Sequence, residues 1–257
     1  MKVQGRVALM TGALGGIGRA LIDSLLKAGM ERVIACDLDD AALTGLQQRS
    51  AGRIVAHPLD VTDEDAVAAV AAAHPETDML INCHGVAVQQ SYLEAVSLTP
   101  FRREMEVNYW GQVVMCRAFA PVLARRNQGA LVDVLSPLAY VTFPFVAPYC
   151  ATKAACRALT DAMRAELAEA GTLVMAVYPG SIDTPMMANV KVSKSGPETV
   201  AQAVVAGLMS DATEVWAGAG AEDMRAMLES DPQSLFAMAA KQLRLTSINA
   251  AGEPLDF

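Results

Sequence analysis

Short apolar runs alternate with amphipathic stretches along almost the whole chain, and this alternation constrains the fold more than any other feature of the sequence. Arg6 to Met10, Arg32 to Cys36, Arg53 to Ala56, Met79 to Asn82, Ala130 to Leu135, Leu173 to Val177 and Glu214 to Ala217 read as strands. Between them the apolar period lengthens to that of a helix. Gly16 to Ala28 carries Ile17, Leu21 and Leu25 on its buried side, with Gly29 to stop it. Asp40 to Arg49 is a short helix, and Asp63 to Ala73 has acidic residues in its first turn. Thr99-Pro100, an N-cap followed by a proline at N1, opens a long helix to about Arg126 with Pro121 as its kink. Pro148 to about Glu169 and Ser195 to about Met209 follow, then Ala221 to Glu229 and Pro232 to Leu243. Strands that are apolar throughout and alternate with helices predict an α/β protein, a doubly wound parallel sheet with helices on both faces. No linker, repeat or low-complexity segment interrupts the 257 residues, so residues 1–257 are read as a single domain.

The charge balance narrows the partners. Twenty Lys and Arg against 28 Asp and Glu give a net charge of -8, with no basic stripe, so no nucleic acid and no anionic membrane is expected. The N-terminus lacks a basic region followed by an uninterrupted apolar segment, which predicts neither a signal peptide nor a membrane span. Cys36, Cys83, Cys116, Cys150 and Cys156 are odd in number, without a CxxC pair, and mostly sit in apolar runs. They read as packed thiols in a reducing, cytoplasmic setting. His57, His74 and His84 are scattered and imply no metal.

Between the first strand and its helix lies Thr11-Gly12-Ala13-Leu14-Gly15-Gly16-Ile17-Gly18. Glycines in that place permit a tight turn, close approach of backbone N–H groups to a pyrophosphate and tight helix–strand packing, while the helix N-terminus favours negative charge. The spacing is TGxxxGxG rather than GxGxxG. Asp37 ends the second strand, where a carboxylate accepts from ribose hydroxyls and repels a 2′-phosphate. No Lys or Arg sits within the glycine loop or just after Asp37, so the expected cofactor is NAD. A strand-end turn carboxylate beside Leu38-Asp39-Asp40 is the plainer alternative.

Tyr149 and Lys153 stand at i, i+4 and share one face of a helix that begins near Pro148. A free tyrosine titrates near about 10, and a neighbouring cation draws that value towards the working range. Ser136 ends the preceding apolar run, where a hydroxyl can hold a substrate oxygen. Alone, a Tyr and a Lys at this spacing are an ordinary half-buried aromatic and a solvated charge. Cys150, next to Tyr149, reads as a small core residue.

Taken together, Thr11-Gly-xxx-Gly-x-Gly18, Asp60-Val61, Asn82-Cys83-His84-Gly85, Asn108, Ser136, Tyr149-xxx-Lys153 and Pro179-Gly180 resemble the short-chain dehydrogenase/reductase family over roughly residues 5–185. The resemblance implies a Rossmann-type fold and the following roles. Tyr149 exchanges a proton with the substrate oxygen, Lys153 tunes it and binds the nicotinamide ribose, Ser136 orients the carbonyl or alcohol, and Asn108 holds a water in a proton relay. Cofactor contacts fall to Gly12, Leu14, Gly15, Gly16, Ile17, Gly18, Asp37 and Leu38. Asp60 and Val61 flank the adenine, while Asn82, Cys83, His84 and Gly85 lie on the adenosine side. Pro179, Gly180, Ile182 and Thr184 border the nicotinamide. The implied activity is an NAD-dependent interconversion of a secondary alcohol and a ketone. Alternatives are a reductase of 3-oxoacyl thioesters and a non-catalytic NAD-sensing protein. A homodimer or homotetramer is implied, paired through the long helix from Pro100 and the Tyr149 helix.

The chain departs from the family pattern in three places. Cys83-His84 replaces Asn-Ala, and His84 reads as tolerated beside the adenosine ribose. Leu135 replaces the first serine of a pair. After the last strand, Trp216-Ala-Gly-Ala-Gly runs into an acidic, Met-rich helical extension over 218–257. Residues 186–196 are expected to form a substrate lid. Leu138, Phe143, Met186 and Met187, with Phe145, Val146 and Val190, form a candidate apolar pocket or, equally, ordinary core.

Overall fold

The computed structural model describes residues 2–93, 95–126 and 128–241. The apolar runs become seven strands: β1 Val7–Thr11, β2 Arg32–Asp37, β3 Ile54–Pro58, β4 Met79–Asn82, β5 Ala130–Val134, β6 Leu173–Pro179 and β7 Glu214–Ala217. They form one parallel sheet in the order β3-β2-β1-β4-β5-β6-β7. Successive residues of a strand face opposite sides. Ala8 and Met10 therefore join one core with Leu21, Leu25, Val204 and Leu208, while Val7 and Leu9 join the other with Val70, Phe119, Leu123 and Met163. The helices are α1 Gly16–Lys27, α2 Asp40–Gln48, α3 Glu64–Ala73, α4 Thr99–Met105, α5 Gly111–Ala124, α6 Ala147–Glu166 and α7 Pro197–Met209, all but α4 contributing to these cores. This is a single α/β domain of Rossmann-like topology. Chain order reverses between β1 and β4, and the crevice at that switch point opens at the C-terminal ends of the strands.

Most boundaries differ from the sequence reading by one to three residues, the normal fraying of helix and strand ends. The predicted long helix from Thr99 to Arg126 is broken instead, by a π-helical turn at Glu106–Trp110 between α4 and α5. A π-turn inserts one residue without disturbing the apolar period on either side, so the sequence pattern does not reveal it. Thr99 is not the cap. Leu98 occupies that position, and Ser97 Oγ accepts from the Thr99 N–H at 3.2 Å. Two further helices, α8 Ala221–Ser230 and α9 Pro232–Ala240, follow β7. Gln242 and Leu243, placed in the last helix by the sequence, lie outside the described residues. Met227, Leu228, Leu235 and Ala239 pack on Val141, Phe143, Val146 and Cys150, so this end of the chain roofs the loop before α6. No helix among the described residues is long and apolar enough to cross a membrane.

Candidate active site

The glycine loop leaves β1 and enters α1 at the switch point. Gly12 lies at φ +64, and a Cβ there would sit 2.6 Å from the Cys83 carbonyl oxygen. A Cβ on Gly18 would be 2.2 Å from the Gly12 carbonyl oxygen, and one on Gly16 would be 2.6 Å from Thr184 Cγ2. The turn therefore closes on backbone only with glycine at 12 and 18, while Gly16 makes room for the Thr184 side chain. Gly15 is the N-cap of α1 and supplies no side chain to it, so the first-turn N–H groups face the crevice uncapped. Uncapped helical N–H groups at a glycine turn are a fit for a pyrophosphate. At the end of β2, Asp37 Oδ2 accepts from the Leu14 N–H at 2.9 Å and Oδ1 from the Leu38 N–H at 2.8 Å. The carboxylate thus ties the glycine loop to β2 while still lining the crevice.

A continuous cleft of about 840 Å³ runs from Asp37 past Gly12 to the loop before α6. It is lined by Gly12, Leu14, Gly15, Gly16, Ile17, Gly18, Asp37, Leu38, Asp60, Val61, Cys83, His84 and Gly85. At the far side Ser136, Tyr149, Lys153, Pro179, Gly180, Ile182 and Thr184 line it with Leu138, Phe143, Met186 and Met187. Asn82 and Asn108 are buried behind this wall. Asn82 Nδ2 donates to Asp133 Oδ1 at 2.9 Å, within the sheet. Asn108, in the π-turn, spends its amide on the backbone of Val86 and on Thr152 Oγ1, and its carbonyl oxygen accepts from Cys156 Sγ at 3.1 Å.

Three side chains can act on a carbonyl or alcohol in this cleft. Ser136 Oγ accepts from the Leu138 N–H at 3.2 Å, so its own hydrogen is free to donate. Lys153 Nζ donates to the Val134 carbonyl at 2.9 Å, which fixes the ammonium 5.7 Å from the centre of the Tyr149 ring. Burial raises the Tyr149 phenol above its ordinary range, and the Lys153 charge pulls the other way without overcoming it. The lysine thus acts in the direction its i, i+4 spacing implies, but desolvation of the phenol, invisible in the sequence, is the larger effect. Burial likewise pulls the Lys153 ammonium down, but Tyr149, Cys156, Cys83 and Asp133 more than offset this, so it stays charged.

Several residues escaped the sequence reading. Arg103, on α4, lines the adenosine end and stands 3.6 Å from Asp60 Oδ2. The Thr62 backbone N–H, and after it the Thr62 hydroxyl and Arg103, hold the Asp60 carboxyl low. Glu104 is fully buried on α4, accepts from the Val88 N–H, and keeps its second oxygen without a hydrogen bond. Burial raises its carboxyl to about 7. Asp133, buried on β5, also accepts from Thr160 Oγ1 at 2.7 Å. A short polar residue inside an apolar run was the available sign of Asp133. Nothing in the helical pattern marks Glu104 as buried. His84 Nδ1 bonds Thr11 Oγ1 at 2.6 Å and ties the end of β1 to the loop after β4, a contact the sequence did not reveal. Burial holds the ring neutral, with a pKa of about 3.

The family model for short chain dehydrogenases matches residues 6–195. The chain is 36% identical over 189 residues to a 2-keto-3-deoxy-L-fuconate dehydrogenase of Xanthomonas campestris, a match covering 72% of this chain and 61% of that protein. Among solved structures it is similar to a short chain dehydrogenase of Burkholderia cenocepacia in complex with NADP. That comparison gives a TM-score of 0.87 and 39% identity, and it covers 93% of this chain and 99% of the other. It also resembles a 3-ketoacyl-(acyl-carrier-protein) reductase of Brucella melitensis complexed with NADH, with a TM-score of 0.75, 27% identity, and 82% and 93% of the two chains covered.

Proposed function

Because the chain belongs to the short-chain dehydrogenase family, we propose that it is an oxidoreductase that interconverts a secondary alcohol and a ketone with NAD. The observation that carries this reading is that Ser136, Tyr149 and Lys153 open into the same cleft as the uncapped N-terminus of α1. When bound, the nicotinamide cofactor supplies the hydride donor or acceptor. The residues suited to hold it are the glycine loop Gly12–Gly18, Asp37, Asp60 with Val61, and Gly180, Ile182 and Thr184 at the nicotinamide end.

The chain's own groups supply orientation and proton transfer. Ser136 Oγ donates to the substrate oxygen and fixes it. Tyr149 Oη gives that oxygen a proton in reduction and removes one in oxidation. The Lys153 ammonium, positioned by the Val134 carbonyl, stabilises the phenolate against the cost of its burial. Asn108 stiffens the back wall, and we assign its carbonyl to the water of a relay from Lys153.

The preference for NAD rests on Asp37, whose charge disfavours a 2′-phosphate. Among the described residues Arg103 is the cation lining that end, and it faces Asp60. Five unpaired cysteines support the reducing, cytoplasmic setting, and Trp110, half exposed at the start of α5, supports pairing of subunits through that helix. The test is nicotinamide absorbance with a panel of ketones and secondary alcohols, run with NAD and NADP forms in parallel. Turnover faster with the NAD form is expected. Turnover confined to NADP would overturn the cofactor assignment, and no turnover despite NADH binding would favour a nucleotide-sensing role.

A further inference from the structure

The two ends of the cleft differ in chemistry. Among its described lining residues the charged side chains are Asp37, Asp60, Arg103 and Lys153. The first three stand at the adenosine end, and Lys153, with one donor on the Val134 carbonyl, is the remaining charge, beside Tyr149. Around Ser136 and Tyr149 the wall is made by Leu138, Phe143, Phe145, Met187 and Met224. The cations nearest in sequence, Lys191 and Lys194, are absent from that lining, and Lys194 Nζ donates to the Met187 carbonyl at 2.6 Å.

Met224 comes from α8, the part of the chain that departs most from the family pattern. It packs with Met227, Leu228 and Leu235 against Phe143 and Val146, so its thioether is held over the substrate end by a core rather than by a loose tail. A carboxylate or phosphate brought against such a wall loses its hydration and meets no arginine there to compensate, which disfavours it. An uncharged apolar substrate meets a mostly apolar, polarisable surface, and thioethers adapt to its shape.

We infer that the substrate is an uncharged, apolar ketone or secondary alcohol, and that Met224 is a specificity-determining contact. This deepens the oxidoreductase reading and rests on it. It separates this chain from enzymes that must hold a sugar acid or a phosphopantetheine thioester by its negative charge.

Two neutral probes, 1-tetralone and 2-decalone, would be compared with 6-carboxy-1-tetralone, whose charge is remote from the carbonyl. Binding is read from NADH fluorescence of the Tyr149→Phe complex, where no turnover intervenes, and kcat/KM is read from the native enzyme. At least tenfold tighter binding and at least tenfold higher kcat/KM are expected for the neutral ketones. Met224→Arg is expected to shrink or reverse that ratio. Met224→Ala, which adds no charge, is expected to weaken tetralone binding several-fold. Equal or tighter binding of the carboxylated probe overturns the inference, and so does failure of both neutral ketones to bind. Unchanged tetralone affinity in Met224→Ala removes Met224 from it. Tight neutral binding without turnover by the native enzyme would sink the oxidoreductase reading and leave the assignment of the pocket standing.

Discussion

Asn108 holds Val86 by both edges of its amide: Nδ2 donates to the Val86 carbonyl at 2.9 Å, and Oδ1 accepts from the Val86 N–H at 2.8 Å. A third bond, from Nδ2 to Thr152 Oγ1 at 3.0 Å, joins the π-turn to α6. Gly85 lies between this clamp and the lysine, since a Cβ there would be 3.4 Å from Asn108 Oδ1 and 3.8 Å from Lys153 Nζ. One side chain thus fixes the distance between the loop after β4 and the helix that bears Tyr149 and Lys153.

Asn108→Ala removes all three bonds and leaves Thr152 and Val86 to find other partners. A loss of about 1–3 kcal/mol is expected, visible as a lower Tm, together with a fall in kcat/KM that exceeds the change in NADH affinity. Asn108→Asp, which keeps the acceptor for the Val86 N–H, should fall between the two. Full activity in Asn108→Ala would mean that the clamp does not position the proton-transfer groups.

Asp37→Asn removes the charge and keeps one oxygen acceptor, so only one of the Leu14 and Leu38 N–H groups retains its bond. The ratio of kcat/KM for NAD over NADP is expected to fall by at least tenfold, mainly through better use of NADP. An unchanged ratio would assign cofactor choice to another part of the cleft.

Glu104 gives the protein a definite pH signature. Burial pushes its carboxyl up to about 7 in the folded protein, from an ordinary value of 4.5. Between those values the native state binds more protons than the unfolded chain, so this group's contribution to stability is present below pH 4.5 and is lost as pH rises through about 7. The Glu104→Gln variant should show a flatter dependence of Tm on pH between about 5 and 8. The ionised carboxylate also disfavours the Tyr149 phenolate, so the same variant should shift the pH profile of alcohol oxidation to lower pH. Parallel Tm curves for native protein and variant would rule out this titration.

Two glycines should respond in opposite ways to alanine. Gly18→Ala places a Cβ 2.2 Å from a backbone oxygen and should cost stability and nearly all NADH binding. Gly45, inside α2, has only Arg49 Nη1 near its Cβ position, at 3.9 Å. Gly45→Ala is therefore expected to stabilise by about 0.5–1 kcal/mol. Chemical denaturation of the two variants reads both signs at once.

The sheet and its covering helices were legible because the strands are buried on both faces and lie in continuous apolar runs, while α1 and α6 repeat at helical period. The glycine loop and the pair at 149 and 153 were legible because local spacing alone forces them onto one turn or one face. What stayed hidden depends on contacts distant in sequence. The π-turn at Glu106–Trp110 leaves the apolar pattern intact on either side. The burial of Glu104 follows from how α4 sits against the loop after β4, the lock between His84 and Thr11 from the pairing of β1 with β4, and the burial of the Tyr149 phenol from the packing of the roof. Met224 enters the cleft only because α8 folds back over residues 141–146, which no pattern within α8 reveals.

The central claim is that Tyr149 Oη moves the proton, and Tyr149→Phe measures it most directly. NADH affinity by fluorescence titration and kcat by nicotinamide absorbance would be taken on the same preparation, with a ketone that the native enzyme turns over. A fall in kcat of at least 10³-fold is the upper part of what loss of a positioned general acid produces, and it is expected here with NADH affinity held within about threefold. Retention of most of the native kcat would contradict the assignment of the phenol as the proton carrier.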